Sequence, residues 1–205
     1  MFKTLFLPGA GGSASFWKPL AARAQLDGVF FAWPGLGIEP PAPGIDSIDN
    51  LIDLVANEIR EPVSIVAQSM GGYIAIKLAL AYPDLVKCLV LAVTSGGVPV
   101  ADLGGSDWRS NYSIVFPRAA TWIADPVADL SDQIPSIDAP TLLLWGSADP
   151  ISPVTVGERL LALLPNARLR VFSGADHDLA QTHLDEAAIE VKRHLMAASL
   201  APAHS

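Results

Sequence analysis

Short runs of consecutive apolar residues, separated by longer amphipathic stretches, constrain this chain more than any other feature. Six such runs stand out, at residues 4–7, 29–33, 64–68, 88–93, 141–145 and 168–172. Side chains alternate between faces along a strand, so a strand with water on one side alternates polar and apolar residues. Several of these runs are apolar at successive positions, as in Leu142-Leu143-Leu144-Trp145. They predict strands covered on both faces, the usual state of parallel strands. Helices are predicted between them at 15–26, 48–60, 70–82, 153–164 and 183–198. In the second, Leu51, Leu54, Val55 and Ile59 recur at spacings of three and four, which makes one apolar face. Pro62, Pro83 and Pro165 fall just past predicted helix ends, where proline stops a helix. The pattern predicts an α/β fold, a doubly wound and mostly parallel six-stranded sheet with helices on both faces and right-handed crossovers.

With 205 residues the chain can bury one sizeable core, so a single domain spanning 1–205 is expected. One interval breaks the rhythm. Residues 96–139 hold no clear strand, are frequent in Gly, Pro, Asp and Trp, and are too many for a plain connection. They read as a short lid insertion at about 98–135, after the fourth predicted strand.

Composition narrows the function classes. Hydrophobic residues make up 51% and charged residues 17%, which excludes a disordered chain. The formal net charge is −8, which repels phosphate backbones and argues against nucleic acid as a partner. The lone cysteine, Cys88, sits in the fourth apolar run and reads as a small core hydrophobe. No stretch approaches the ~20 apolar residues of a membrane-spanning helix. The opening residues 1–7 are broken by Lys3 and Thr4 and read as a buried strand rather than an export signal, so a cytoplasmic location is expected.

Chemistry concentrates where the third predicted strand ends, at Ala67-Gln68-Ser69-Met70-Gly71-Gly72. Ser69 falls on a strand-to-helix turn. Such a turn crowds its neighbours, so the residues two before and two after must be small; they are Ala67 and Gly71. The turn lifts the hydroxyl above the carboxyl ends of the strands, and the following helix start offers free N–H groups to a developing oxyanion. A serine N-cap opening an ordinary helix would show part of the same pattern. Two adjacent glycines at a helix start are locally unfavourable, which points to a close approach.

The segment resembles the nucleophile elbow of the α/β-hydrolase fold family, and the likeness runs over nearly the whole chain in the family's order. Ala67 stands where the family usually has Gly. The resemblance implies that Leu5-Phe6-Leu7-Pro8-Gly9-Ala10-Gly11-Gly12 is the strand and oxyanion loop, with the backbone N–H groups of Ala10 and Met70 as donors. The family usually has His-Gly where this chain has Pro8-Gly9. A phosphate-binding loop is excluded there, because the Gly-Lys-Ser/Thr ending is missing and the glycine spacing does not fit a dinucleotide site. Trp33-Pro34-Gly35-Leu36-Gly37 resembles the family's tight turn near the mouth of the site. Asp149, in Gly146-Ser147-Ala148-Asp149, resembles the family's orienting acid. Its rivals are Asp176 and Asp178 beside the histidine, and Asp125, Asp129 and Asp138 in or next to the lid. His177 follows the last predicted strand and completes the family's Ser…Asp…His order. His183 and His194 fall on the last predicted helix and His204 in the terminal tail, positions of packing or solvation.

The resemblance implies an acyl-enzyme mechanism. Imidazole, ordinarily near pKa 6.5, takes the Ser69 proton at neutral pH, and Asp149 orients the ring. Ser69 attacks a carbonyl of a small-molecule acyl substrate, a carboxylic ester or thioester, and water releases the product. No metal or organic cofactor is implied. The same parts also serve C–C hydrolases, lyases, peptidases and cofactor-free haloperoxidases, and a ligand receptor on this scaffold is a further alternative. The family's larger members carry two more strands ahead of the oxyanion loop, so a reduced six-stranded core with an open site is expected. Trp108, Tyr112, Phe116 and Trp122 of the lid either wall a pocket or pin the lid to the body.

Overall fold

The computed structural model describes residues 1–200; His204 lies outside them. Six parallel strands form one sheet in the order β2-β1-β3-β4-β5-β6. They are β1 (Lys3–Leu7), β2 (Gly28–Phe30), β3 (Val63–Gln68), β4 (Val86–Ala92), β5 (Thr141–Gly146) and β6 (Ala167–Phe172). Every residue of β3 and β5 is buried, as two-sided cover requires, while the edge strands β2 and β6 are partly exposed. The β6 edge carries Arg168 and Arg170, which pair with Glu190 and Glu186 and discourage further strand pairing.

Seven helices accompany the sheet among the described residues: α1 (Lys18–Ala24), α2 (Ile48–Ala56), α3 (Met70–Ala81), α4 (Arg109–Val115), α5 (Val154–Leu163), α6 (Leu179–Thr182) and α7 (Leu184–Leu200). Helices α1, α6 and α7 pack together on one face, while α2 packs on α3 and α5 lies against β5 and β6. The Ser47 hydroxyl caps α2 by accepting from Asn50 N. Gly157 lets α5 sit directly on the Trp145 ring, since a Cβ there would lie 2.7 Å from it.

The elements differ from expectation at their ends. Helix α2 stops at Ala56, yet Ile59 stays buried because Ile59 N donates to Ala56 O and the chain keeps turning. Strand β2 has three residues instead of five. Beyond Phe31 the chain leaves the sheet, and Trp33 N donates to Gly12 O instead. The last predicted helix, 183–198, is α7, and a further short helix, α6, precedes it. Cys88 is wholly buried, and desolvation pushes its thiol up to about 12, which leaves it chemically inert. His194 is buried as well, with Nε2 against the carbonyls of Leu89 and Pro140 at 3.0 and 3.2 Å.

The chain leaves β1 toward β2 and returns across it to β3, so the strand order reverses between β1 and β3. The loop after β1 and the turn after β3 therefore flank the crevice where open α/β sheets place their ligands. Residues 98–135 lie between β4 and β5. They contain α4 and the 3-10 turn Thr121–Ala124, and reach into a second such turn, Ile134–Ser136.

Candidate active site

Ser69 has φ 51° and ψ −121°, a backbone region that L side chains rarely adopt. A residue held there stores about 1–3 kcal/mol, so its surroundings must hold it firmly. Ser69 N donates to Ala92 O at 2.9 Å, and Gly72 N donates to Ser69 O at 2.9 Å. The buried Thr94 hydroxyl also donates to Ser69 O, at 2.5 Å. Val93, between Ala92 and Thr94, has φ 44°, costly for a β-branched residue. That bend is what turns both Ala92 and Thr94 toward Ser69. The two glycines are explained by proximity. A Cβ on Gly71 would lie 2.5 Å from Pro8 O, and one on Gly72 would run into the Thr94 side chain.

The loop Pro8–Gly12 stands beside this turn. A Cβ on Gly9 would lie 3.1 Å from that of Ser69 and would strike Gln68 Oε1. Two indoles support the loop from below. Trp17 Nε1 donates to Leu7 O and Trp33 Nε1 donates to Pro8 O, each at 2.9 Å. Pro8 thus lacks the side-chain bond a histidine would make, and tryptophan N–H groups hold the carbonyls instead. The Trp33–Gly37 turn is a buttress: a Cβ on Gly37 would strike Gly11 O, and one on Gly12 would lie 2.7 Å from Leu36 O. Ala10 sits on the supported loop, and Met70 opens α3, where the first N–H groups have no intrahelical acceptor.

Asp149 and His177 meet on the neighbouring strand ends. His177 Nδ1 lies 2.7 Å from Asp149 Oδ2, with the Asp149 side chain wholly buried and that of His177 19% exposed. The other oxygen, Oδ1, accepts from Ile151 N at 2.8 Å and Ser152 N at 3.1 Å, which fixes the carboxylate in one orientation. The two loops are knitted together. Ala148 N donates to Ala175 O and Gly174 N to Ser147 Oγ, and Gly146 lies so close to Ala175 O that no side chain fits.

Among the described residues none of the rival carboxylates is hydrogen-bonded to the His177 ring, although Asp125, Asp129 and Asp178 line the same cavity. Asp176 accepts from Asp178 N, Asp129 accepts from Ser131, and Asp178 precedes α6. Asp138 accepts from Asn166 through its backbone carbonyl. His183 Nδ1 lies near the Thr182 hydroxyl, and its ring packs by Phe172.

Ser69, Met70, Ala10 and His177 all line one cavity of about 950 Å³. No Ser69–His177 hydrogen bond is made among the described residues. Trp108, Tyr112 and Phe116 line the same cavity, with Tyr112 packed edge-on to Trp108 at 5.5 Å and tilted to Phe116 at 5.0 Å. Trp122 instead packs against the core. Tyr112 does both jobs: its hydroxyl donates to Ala10 O at 2.8 Å and accepts from Gly37 N at 2.9 Å. Desolvation raises its pKa, so the phenol keeps the proton it donates.

Two contributors carry no sequence signal. Gln68 Nε2 donates to His177 O at 3.4 Å, and Thr94 acts through the backbone carbonyl of Ser69. A hydroxyl or amide in such a place is ordinary in composition, and only the fold supplies its acceptor. Among the described residues no group of three or more His, Cys, Asp or Glu is placed to hold a metal ion. No helix there is long and apolar enough to cross a membrane.

A serine on a strained strand–helix turn, facing a cavity that the histidine of a buried Asp–His pair also lines above a parallel sheet, defines the hydrolase class of α/β proteins. The chain belongs to the alpha/beta hydrolase family, whose model matches residues 4–110. It is 43% identical to 2-hydroxy-6-oxononadienedioate/2-hydroxy-6-oxononatrienedioate hydrolase 2 of Pseudomonas putida, over 83% of this chain and 78% of that protein. It is 32% identical to the pimeloyl-[acyl-carrier protein] methyl ester esterase of Shewanella woodyi, over 89% of each. Against the polyketide synthase ThaQ of Burkholderia thailandensis, 26% identical, 88% of this chain is matched but only 11% of that protein's length is spanned. In fold it resembles a thermophilic esterase from Thermogutta terrifontis, with TM-score 0.79 and 18% identity over 97% of this chain and 90% of the other.

Proposed function

We propose that the protein hydrolyses a small carboxylic ester or thioester through an acyl-enzyme on Ser69. His177 is the base and Asp149 its orienting acid. The N–H groups of Ala10 and Met70 receive the oxyanion. Residues 98–135 act as a small lid over a single domain. One observation carries the reading: the buried Asp149 carboxylate, fixed by two backbone N–H groups, holds His177 Nδ1 at 2.7 Å on the wall of the cavity that Ser69 faces.

The chemistry follows from the parts. With Nδ1 engaged by Asp149, the other ring nitrogen takes the hydroxyl proton as Ser69 attacks the carbonyl carbon. Negative charge then develops on the carbonyl oxygen, where preorganised N–H donors stabilise it more than they stabilise the ground state. The imidazolium returns the proton to the leaving alcohol or thiol. Water, deprotonated by the same nitrogen, attacks the acyl-enzyme and frees the acid and Ser69.

A fluorophosphonate tests the nucleophile. It is expected to label the wild type and not Ser69→Ala; equal labelling of both removes the reading. The same site acting on a carbon–carbon bond is a second reading, favoured by the 43% identity to the Pseudomonas putida hydrolase named for a nonadienedioate. Steady turnover on a panel of p-nitrophenyl esters beside that dioate separates the two.

A further inference from the structure

We infer that the cavity selects esters that are uncharged on both sides of the reacting carbonyl and turns away those bearing a carboxylate. The inference rests on the catalytic reading above and adds the substrate class to it.

Much of the cavity wall is hydrocarbon and aromatic, from Phe16 and Met70 on the body to Val98, Val115 and Ile123 of the segment opposite. Apolar wall binds apolar surface, and a charged group entering it must give up water unless a partner replaces it. Apart from His177, Arg109 is the one basic side chain on the described lining. It is already engaged. Its Nη1 donates to Asp107 Oδ1 at 3.2 Å, its Nε donates to Ala124 O at 3.3 Å, and its guanidinium lies 5.3 Å over the Trp108 ring. Recruiting it for a substrate carboxylate would break an ion pair and a hydrogen bond within its own segment.

The remaining charges on the lining are negative: Asp107, Asp125, Asp129 and Asp178. Two are held well into their ionised form. Hydrogen bonds from Ser131 lower the pKa of Asp129, and hydrogen bonds from Arg109 lower that of Asp107. All four are exposed, so salt screens each one, but they line one cavity, where the fields of the three not paired with Arg109 add. A carboxylate tail therefore loses hydration, finds no uncommitted cation, and meets the like charges of Asp125, Asp129 and Asp178. A neutral tail of equal length meets none of these costs.

The test compares two fluorophosphonates of equal chain length, one ending in methyl and one in carboxylate, by their rates of labelling Ser69. The methyl-ended probe is expected to react at least tenfold faster at pH 7.5 and low salt. The ratio should fall as salt rises. Equal rates, or faster labelling by the carboxylate probe, overturn the proposal. If Ser69→Ala is labelled as well as wild type, the catalytic reading fails and this one fails with it; Ser69-dependent labelling without selectivity defeats this one alone. Asp125→Lys places a cation on the lining and should narrow the ratio several-fold. An unchanged ratio in that variant also counts against the proposal.

Discussion

The strand ends that bear Ser69, Asp149 and His177 grow from a sheet whose central strands are almost wholly buried, whereas the segment facing them contains a helix, α4, without one buried residue. On the sheet side every unusual conformation is gripped from several directions. Ser69 is held by Ala92, Thr94 and Gly72, and Asp149 by two amides and the His177 ring. On the other side, residues 98–135 are anchored mainly at their ends, by buried Val98 and by Leu130 and Ile134. Between these anchors Trp122 and Ile123 pack against the core, and polar contacts to the body include Ser106 to Pro150 O, Tyr112 to Ala10 O, Ala120 N to Gly35 O, Thr155 to Leu103 O and Arg159 to Asp102. The difference assigns separate tasks. On the proposed mechanism the sheet side would fix reacting geometry, and changes there should affect all substrates alike. The insertion shapes the cavity and should change their ranking.

The largest effect expected is that of Asp149→Asn, which keeps the shape but cannot hold His177 in the same tautomer. It should lower kcat by about 10⁴ on every ester tested, with an unchanged order of preference. Steady-state kinetics on a panel varied in acyl length checks both halves. A large loss confined to some esters would break the division of labour. Thr94→Val is the next step down. It removes a hydroxyl that donates to Ser69 O and accepts from Gly96 N; Ser69 O keeps its bond from Gly72 N, but the buried Gly96 N–H loses its acceptor, which costs about 1–3 kcal/mol. A fall in kcat of roughly 10-fold to 100-fold is expected, uniform across the panel, together with a lower Tm by calorimetry.

How much of this was legible beforehand depended on whether a feature is local. The runs that became β1 and β3 to β5 could be read because two-sided burial makes them nearly continuous in apolar residues, while the edge strand β6 shows the alternation of Arg168, Leu169, Arg170 and Val171. The run at 29–33 misled, because Trp33 is apolar for a different purpose: its indole supports Pro8 O from outside the sheet. That Ser69, Asp149 and His177 lie on turns after strands was legible, since a sharp turn writes small residues into the sequence. The grips of Thr94 and Gln68 were not. Their acceptors are carbonyls brought near by the sheet, and any residue has a carbonyl. The content of 98–135 was also hidden. Helix α4 reads Arg-Ser-Asn-Tyr-Ser-Ile-Val and has no apolar face to reveal it, being held by tertiary contacts instead.

Tyr112→Phe probes the one hydrogen bond that joins the two regions at the loop of Ala10. The ring still packs on Trp108 and Phe116, so Tm should move by less than about 2 °C. The Ala10 carbonyl and the Gly37 N–H lose their common partner, and kcat should fall several-fold with little change in KM. A rise in KM alone would place Tyr112 with the cavity wall rather than with the supported loop. Trp108→Ala should act the other way: a change in kcat/KM of a few-fold that is unequal across the panel, as bulky acyl groups gain room and short ones lose contact.

The smallest effect concerns the far end of the sheet and should leave the cavity untouched. His194, on α7, is buried with Nε2 against the carbonyls of Leu89 and Pro140. Desolvation, helped by the nearby Arg168 and opposed by Glu190 and the two carbonyls, lowers its pKa below the ordinary 6.5. In the unfolded chain the ring takes up a proton as pH falls through 6.5, while in the folded protein it resists until a lower pH. The unfolded state therefore binds more protons in that window, and stability must fall with pH there. Above 6.5 both states hold a neutral ring and the contribution is fully present. Replacing His194 with Gln keeps a donor near the carbonyls and removes the titration. Tm measured from pH 8 to pH 5 should then decline less steeply than in the wild type, whatever the absolute stability of the variant. Labelling of Ser69, corrected for the folded fraction, should be the same in both. An equal slope in the two proteins would mean that another group sets the acid limb of stability. A change in labelling would mean that the sheet transmits strain from α7 to its opposite end, and the separation between frame and insertion would need a third region.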